Sequence, residues 1–137
     1  MFPDMFRNID LLQKGLGASQ LRQEVIANNI ANNDTPGFKA SHVEFETFMK
    51  QALEEEDAAS GRPADDNPKH IRMDASSVRD VQAEVVQDAN TNMRMDGNNV
   101  DIDEQMTELA KNTIYYNTLS MKVTSEFSRL RMAIDGK

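Results

Sequence analysis

Residues 102–134 read IDEQMTELAKNTIYYNTLSMKVTSEFSRLRMAI. Ile102, Leu109, Tyr116, Val123 and Leu130 recur every seven residues, and Met106, Thr113, Ser120, Phe127 and Ile134 interleave four residues after each. All are apolar except the small Thr113 and Ser120. This is an a/d heptad, with neither Gly nor Pro before Gly136, and it predicts one long helix. The ends agree. Asp101 followed by Glu104 resembles a capping box with Asp in the capping place, and Asp103 and Glu104 suit the positive end of the helix dipole. Arg129, Arg131 and Lys137 suit the negative end.

At the other terminus the spacing predicts a second long helix over about residues 4–33. Its apolar residues form two neighbouring stripes, Ile9, Leu12, Leu16, Ile26 and Ile30 on one and Leu11, Ala18, Leu21 and Val25 on the other. Pro36 disfavours helical backbone at Thr35, and Pro36-Gly37 supplies the locked φ and the permissive residue of a type II turn. Asn28, Asn29, Asn32 and Asn33 crowd the last turns, although Asn competes for backbone bonds and is a poor helix former. They read either as C-capping before the proline turn or as register-setting amides. Asn28 continues the Leu11 stripe with Asn29 beside it, and a buried Asn pair aligns neighbouring helices at some cost in stability.

Between these ends the chain changes character. Residues 1–40 carry no net charge, residues 41–100 carry −7, and residues 101–137 carry −1. Val43, Phe45, Phe48, Met49, Ala52 and Leu53 predict a short helix that runs into the acidic Glu54-Glu55-Glu56-Asp57. Residues 58–70, AASGRPADDNPKH, read as a mobile linker. Val78, Val81, Val85 and Val86 have no clean period and suit short extended pieces. The organisation is therefore an N-terminal helix and turn (1–40), an acidic middle (41–100) and a heptad helix (101–137). The first and last together form one mainly α, coiled-coil-like hairpin. Such a hairpin buries one stripe of each helix, and neighbouring copies are the simplest cover for the rest.

Composition removes several functions. A chain of 137 residues with net charge −8 offers no positive surface to nucleic acid. It has no cysteine, so disulfides, thiolate metal sites and a cysteine nucleophile are excluded. No apolar run approaches the roughly 20 residues that span a bilayer, and residues 1–7 lack the features of a secretory signal. Gly15-Leu16-Gly17 begins like a dinucleotide loop, but position 20 is Gln20 and no strand precedes it. Two glycines that let a neighbouring helix approach closely explain the same letters. The run Asp96 to Glu104 has the composition of a calcium loop, yet placing Gly97 at the obligatory sixth position puts Arg94 at a ligand position. His42 and His70 stand alone, outside any metal or catalytic spacing.

The stretch Ile26-Ala27-Asn28-Asn29-Ile30-Ala31-Asn32-Asn33-Asp34-Thr35-Pro36-Gly37-Phe38, with Gly15 before it, resembles the N-terminal signature of the flagellar rod and hook family. That family also has a heptad-rich C-terminal helix. Gly97-Asn98-Asn99-Val100-Asp101-Ile102-Asp103-Glu104-Gln105-Met106 is similar to the lead-in of its shorter, proximal rod members, as is the ending Phe127-Ser128-Arg129-Leu130-Arg131. The resemblance implies a structural subunit of the basal-body rod, exported without a cleaved signal by the flagellar type III apparatus and placed in the periplasm. Its partners would be other copies, other rod proteins and the membrane-ring/rod junction protein, with no cofactor, metal or small-molecule substrate. Its terminal helices would form a torque-transmitting tube around the export channel. Packing between subunits would then involve Leu11, Ala18, Leu21, Val25, Asn28, Asn29, Ile30 and Asn32, together with Ile102, Met106, Leu109, Tyr116, Val123, Phe127, Leu130 and Ile134, and Pro36 and Gly37 would hold the turn. A soluble helical chaperone of the secretion machinery is the competing class, but it has no reason to carry the motif from Asn28 to Phe38. An enzyme using the acids of the middle would need a site that low-complexity sequence cannot preorganise.

Overall fold

A computed structural model describes residues 2–60, 81–89, 91 and 94–136. Two long helices dominate it: α1, Phe2–Ala31, and α3, Ile102–Asp135. Between them lie the strand β1, Ser41–Glu44, the helix α2, Glu46–Ser60, and the strand β2, Glu84–Gln87. The architecture is the expected mainly helical hairpin. Val43 and Phe45 precede the short helix rather than lying in it, and α2 continues through the acidic run to Ser60. Its last three residues thus overlap the start of the expected linker, whose remainder, with Val78 and His70, lies outside the described residues.

The valine-rich stretch does become extended chain. Val85 and Val86 sit in β2, which pairs antiparallel with β1 in the register Ser41↔Gln87 to Glu44↔Glu84. A two-stranded ribbon is marginal by itself and needs packing against a helix. Here α1 supplies it. Ala18, Val43, Phe45, Met49 and Ala52 form a buried cluster, with Leu11, Leu21, Val25 and Leu53 packed around it. Burying side chains the size of Phe45 or Met49 contributes about 1.5–3 kcal/mol each. The stripe Leu11, Ala18, Leu21 and Val25 is therefore taken up inside the subunit, against β1 and α2.

The neighbouring side of α1 meets α3. A Cβ placed on Gly15 would lie 3.3 Å from Leu119 Cδ1, so the absent side chain lets the helices approach closely. Nothing lies within 4 Å of the same construction on Gly17, which faces outward. The helix ends follow local chemistry. Phe38 N donates to Thr35 O at 3.3 Å across Pro36-Gly37, and Gly37 has φ +72°, as a type II turn requires. Asp101 caps α3 by accepting from the backbone N–H groups of Asp103 (2.9 Å) and Glu104 (3.3 Å). At the far end Gly136, with φ +67°, donates to Met132 O. The last turn of α3 holds no basic residue, so the dipole argument for Arg129 and Arg131 does not apply there. Arg129 instead pairs with Glu126 and Arg131 with Asp135.

Candidate functional site

The two family-like stretches, far apart in sequence, meet at one corner of the hairpin. Asn98 is fully buried, and its Nδ2 points at the carbonyls of Asn32 (3.0 Å), Asn33 (2.9 Å) and Thr35 (2.9 Å). These carbonyls belong to the turn just past α1, so Asn98 fixes that turn from more than 60 residues away in the chain. Its own Oδ1 accepts from Val100 N at 2.7 Å. Asn99 works beside it, accepting from Ala40 N and donating to Asp88 O and Thr91 Oγ1. Gly37 N donates to Asp96 O, and a Cβ on Gly97 would lie 3.7 Å from the Gly37 Cα. Both glycines have positive φ, so this close backbone contact suits glycine on either side. Lys39 Nζ adds bonds to Gly97 O and Thr91 O. Of the side chains that gave residues 96–104 their calcium-like composition, Asp96, Asn98, Asn99 and Asp101 are thus committed to backbone groups.

The asparagines of α1 divide their roles. Asn29, 1 % exposed, donates to Ser41 O (2.7 Å) and to Gln105 Oε1 (2.9 Å), and accepts from Ser41 N (3.0 Å). One amide therefore ties α1 to both β1 and α3. Asn28 is exposed, so no buried Asn28–Asn29 pair forms within the subunit. Asn32, half-buried, bonds locally to Asn28 and Thr35. Further along the seam Ser19 Oγ donates to Asn112 Oδ1 (2.9 Å) while Asn112 Nδ2 donates to Ser19 O (2.8 Å), both residues being buried.

These bonds show which side of α3 faces α1: Gln105, Asn112, Leu119 and Glu126, spaced by seven, with Leu109, Val123 and Leu130 half-buried on its flank. Half of the apolar heptad lies outside that seam. Ile102, Met106, Phe127 and Ile134 are exposed, Ile134 to 81 %, and Tyr116 to 40 %. Ile30 is half-buried on α1. The heptad is real as a period, but the intramolecular seam runs along a more polar neighbouring stripe. Only the seven-residue spacing of Gln105, Asn112, Leu119 and Glu126 could have announced it, and three of those four are polar.

Arg22 Nη2 donates to Glu46 Oε2 at 2.6 Å beside the groove between α1 and β1. Burial alone would raise the Glu46 carboxyl, but the Arg22 guanidinium and backbone N–H donors outweigh it and hold the group below the usual carboxylate range.

A fold of this form, with both signatures joined at one corner, agrees with the comparisons. A family model described as Flagella basal body rod protein matches residues 9–39. The FlgB flagellar basal body rod protein of Bacillus subtilis is 34 % identical over 128 residues, 93 % of each chain. This chain belongs to the FlgB family of flagellar basal body rod proteins. That of Borreliella burgdorferi is 32 % identical over 132 residues, covering 96 % of this chain and 98 % of its own. That of Escherichia coli is 32 % identical over 104 residues, covering 76 % and 75 %. Membership of the FlgB family makes the chain a structural subunit of the flagellar basal body, built into the rod with other rod components.

Proposed function

We propose that the chain polymerises through α1 and α3 into the proximal part of the rod, forming a helical tube that transmits torque and surrounds the export channel. Segments 1–40 and 101–137 act as one helical core, and the heptad and asparagine positions named above contribute to packing either within or between copies. Family membership supports this, and one observation on the subunit carries it. The exposed part of the α3 heptad, Ile102, Met106, Phe127 and Ile134, is apolar, periodic and uncovered by the described residues of the subunit. A helix-long apolar stripe of that kind marks a protein contact. Its role is mechanical rather than catalytic. Partners are other copies, other rod subunits and the membrane-ring/rod junction protein, reached in the periplasm after type III export without a cleaved signal. The test is deletion of the gene, then complementation with the wild-type chain or with Met106→Glu. Deletion should stop basal bodies before the rod, the wild-type chain should restore it, and Met106→Glu should not, although purified Met106→Glu keeps its helicity. Completed rods in the deletion strain would sink the reading.

A further inference from the structure

Beyond the seam and the exposed heptad, α3 has a third apolar side that the heptad pattern conceals. Ile114, Met121 and Met132 are all exposed, 68 % in the case of Ile114. Their spacings of seven and eleven keep them in line, about 110° around the helix from the stripe of Ile102, Met106 and Phe127 at about 100° per residue. The charges respect both stripes. Between Gln105 and Leu130 the charged residues are Glu108, Lys111, Lys122, Glu126 and Arg129, and all fall within an arc of about 60° beside the seam. Glu108–Lys111 (2.6 Å) and Glu126–Arg129 (3.2 Å) pair within that line. Over that span the two outward stripes and the Thr113, Asn117, Ser120 and Thr124 surface carry no charge; beyond it Asp103 falls in line with Met121, and the Arg131–Asp135 pair falls between the stripes.

A helix facing bulk water on its outer side normally places charges there. Here the outer arc that is uncharged between Gln105 and Leu130 spans about 200° of the helix, roughly twice the width one packed helix covers. Copies of a chain with net charge −8 repel one another wherever their acidic segments meet. The neutral arc of α3 is where they approach without that cost, which selects a second copy as the occupant. Two separate stripes need two contacts per copy, and one contact type covers both only if the stripes meet each other.

We propose, on the reading of the chain as a tube-forming rod subunit, that the Ile102–Met106–Phe127 stripe of one copy packs on the Ile114–Met121–Met132 stripe of the next. The contact is heterologous, so it does not close and it leaves each growing end with one free stripe.

Sedimentation of the purified full-length chain tests this with Phe127→Glu and Met121→Glu, each alone and mixed one to one. Both positions are exposed in the subunit, so circular dichroism should show unchanged helicity. Met106→Glu and Ile114→Glu serve as replacements if either variant misfolds. Wild-type protein should form oligomers that grow with concentration. Each variant alone should be monomeric, its self-association weakened at least about a hundredfold by a charge buried without a partner. The mixture should form dimers and nothing larger, because one intact stripe of each kind remains. Several results overturn the proposal: wild-type chain that stays monomeric at millimolar concentration, either variant pairing with itself, either growing like the wild type, or a mixture that stays monomeric. Loss of rods on gene deletion together with any of these would leave the rod assignment standing and remove this contact alone.

Discussion

Asn98 Nδ2 faces three carbonyls of the turn that follows α1, and its Oδ1 holds Val100 N. Asn98→Ala removes three hydrogen bonds to the turn and leaves Val100 N, buried with it, without its acceptor, so the expected loss of stability is about 1–3 kcal/mol, read by urea denaturation. Asn98→Asp should be worse, since a carboxylate would face three carbonyl oxygens. Asn29→Ala belongs to the same class because it strands Ser41 and Gln105, whereas exposed Asn28→Ala should stay within about 0.5 kcal/mol of wild type. Equal effects at Asn28 and Asn29 would contradict this division. Glu46 offers a test by pH. Its carboxyl titrates lower in the fold than in the unfolded chain, so its pairing with Arg22 stabilises above the ordinary carboxylate value and is lost as pH falls through the folded one. The pair is largely solvent-exposed. Glu46→Gln should therefore cost only about 0.2–1 kcal/mol at neutral pH, and the difference should shrink towards zero as the pH falls through the lowered folded value and the carboxyl becomes neutral. A constant difference across that range would show that the ion pair is not the cause.

At the level of the helices, the two glycines of α1 have opposite surroundings. Gly17→Ala meets nothing in the subunit and removes a poor helix former, so the isolated chain should gain about 1 kcal/mol. Gly15→Ala brings a Cβ to 3.3 Å from Leu119 Cδ1, and the seam must give by a few tenths of an ångström. Its gain should fall below that of Gly17→Ala or turn into a loss, as thermal melts of the two variants would reveal. A gain at Gly15 equal to that at Gly17 would mean the helices are further apart than described. The reading that both glycines admit a neighbouring helix is thus met inside the subunit at Gly15 alone. On α3 the heptad marked the helix and its length, but not the side that meets α1. Gln105, Asn112 and Glu126 are polar and so escaped an apolar pattern search, although hydrogen bonds and a close glycine contact place that side inward.

The whole molecule keeps a small internal core and leaves two sides of its longest helix uncovered. Most helical stability in proteins comes from packing of a face rather than from propensity. Dilute chain should therefore melt at low temperature, and its melting temperature should rise with protein concentration as copies cover α3. A sharp melt independent of concentration would show that the subunit is already complete. The sequence by itself determined where α1 ends and where α3 begins, because those signals are local: Pro36-Gly37 stops α1, Asp101 starts α3, and the seven-residue period requires a helix between Ile102 and Ile134. It also marked both ends as family signatures, with Asn29 among the residues set apart. Only the tertiary structure decided what those residues touch. A helix with apolar positions on three sides can satisfy its pattern with more than one partner. The choice of seam rests on a few polar bonds, Ser19 with Asn112, Asn29 with Gln105 and Asn98 with the end of α1, between residues that no local spacing relates.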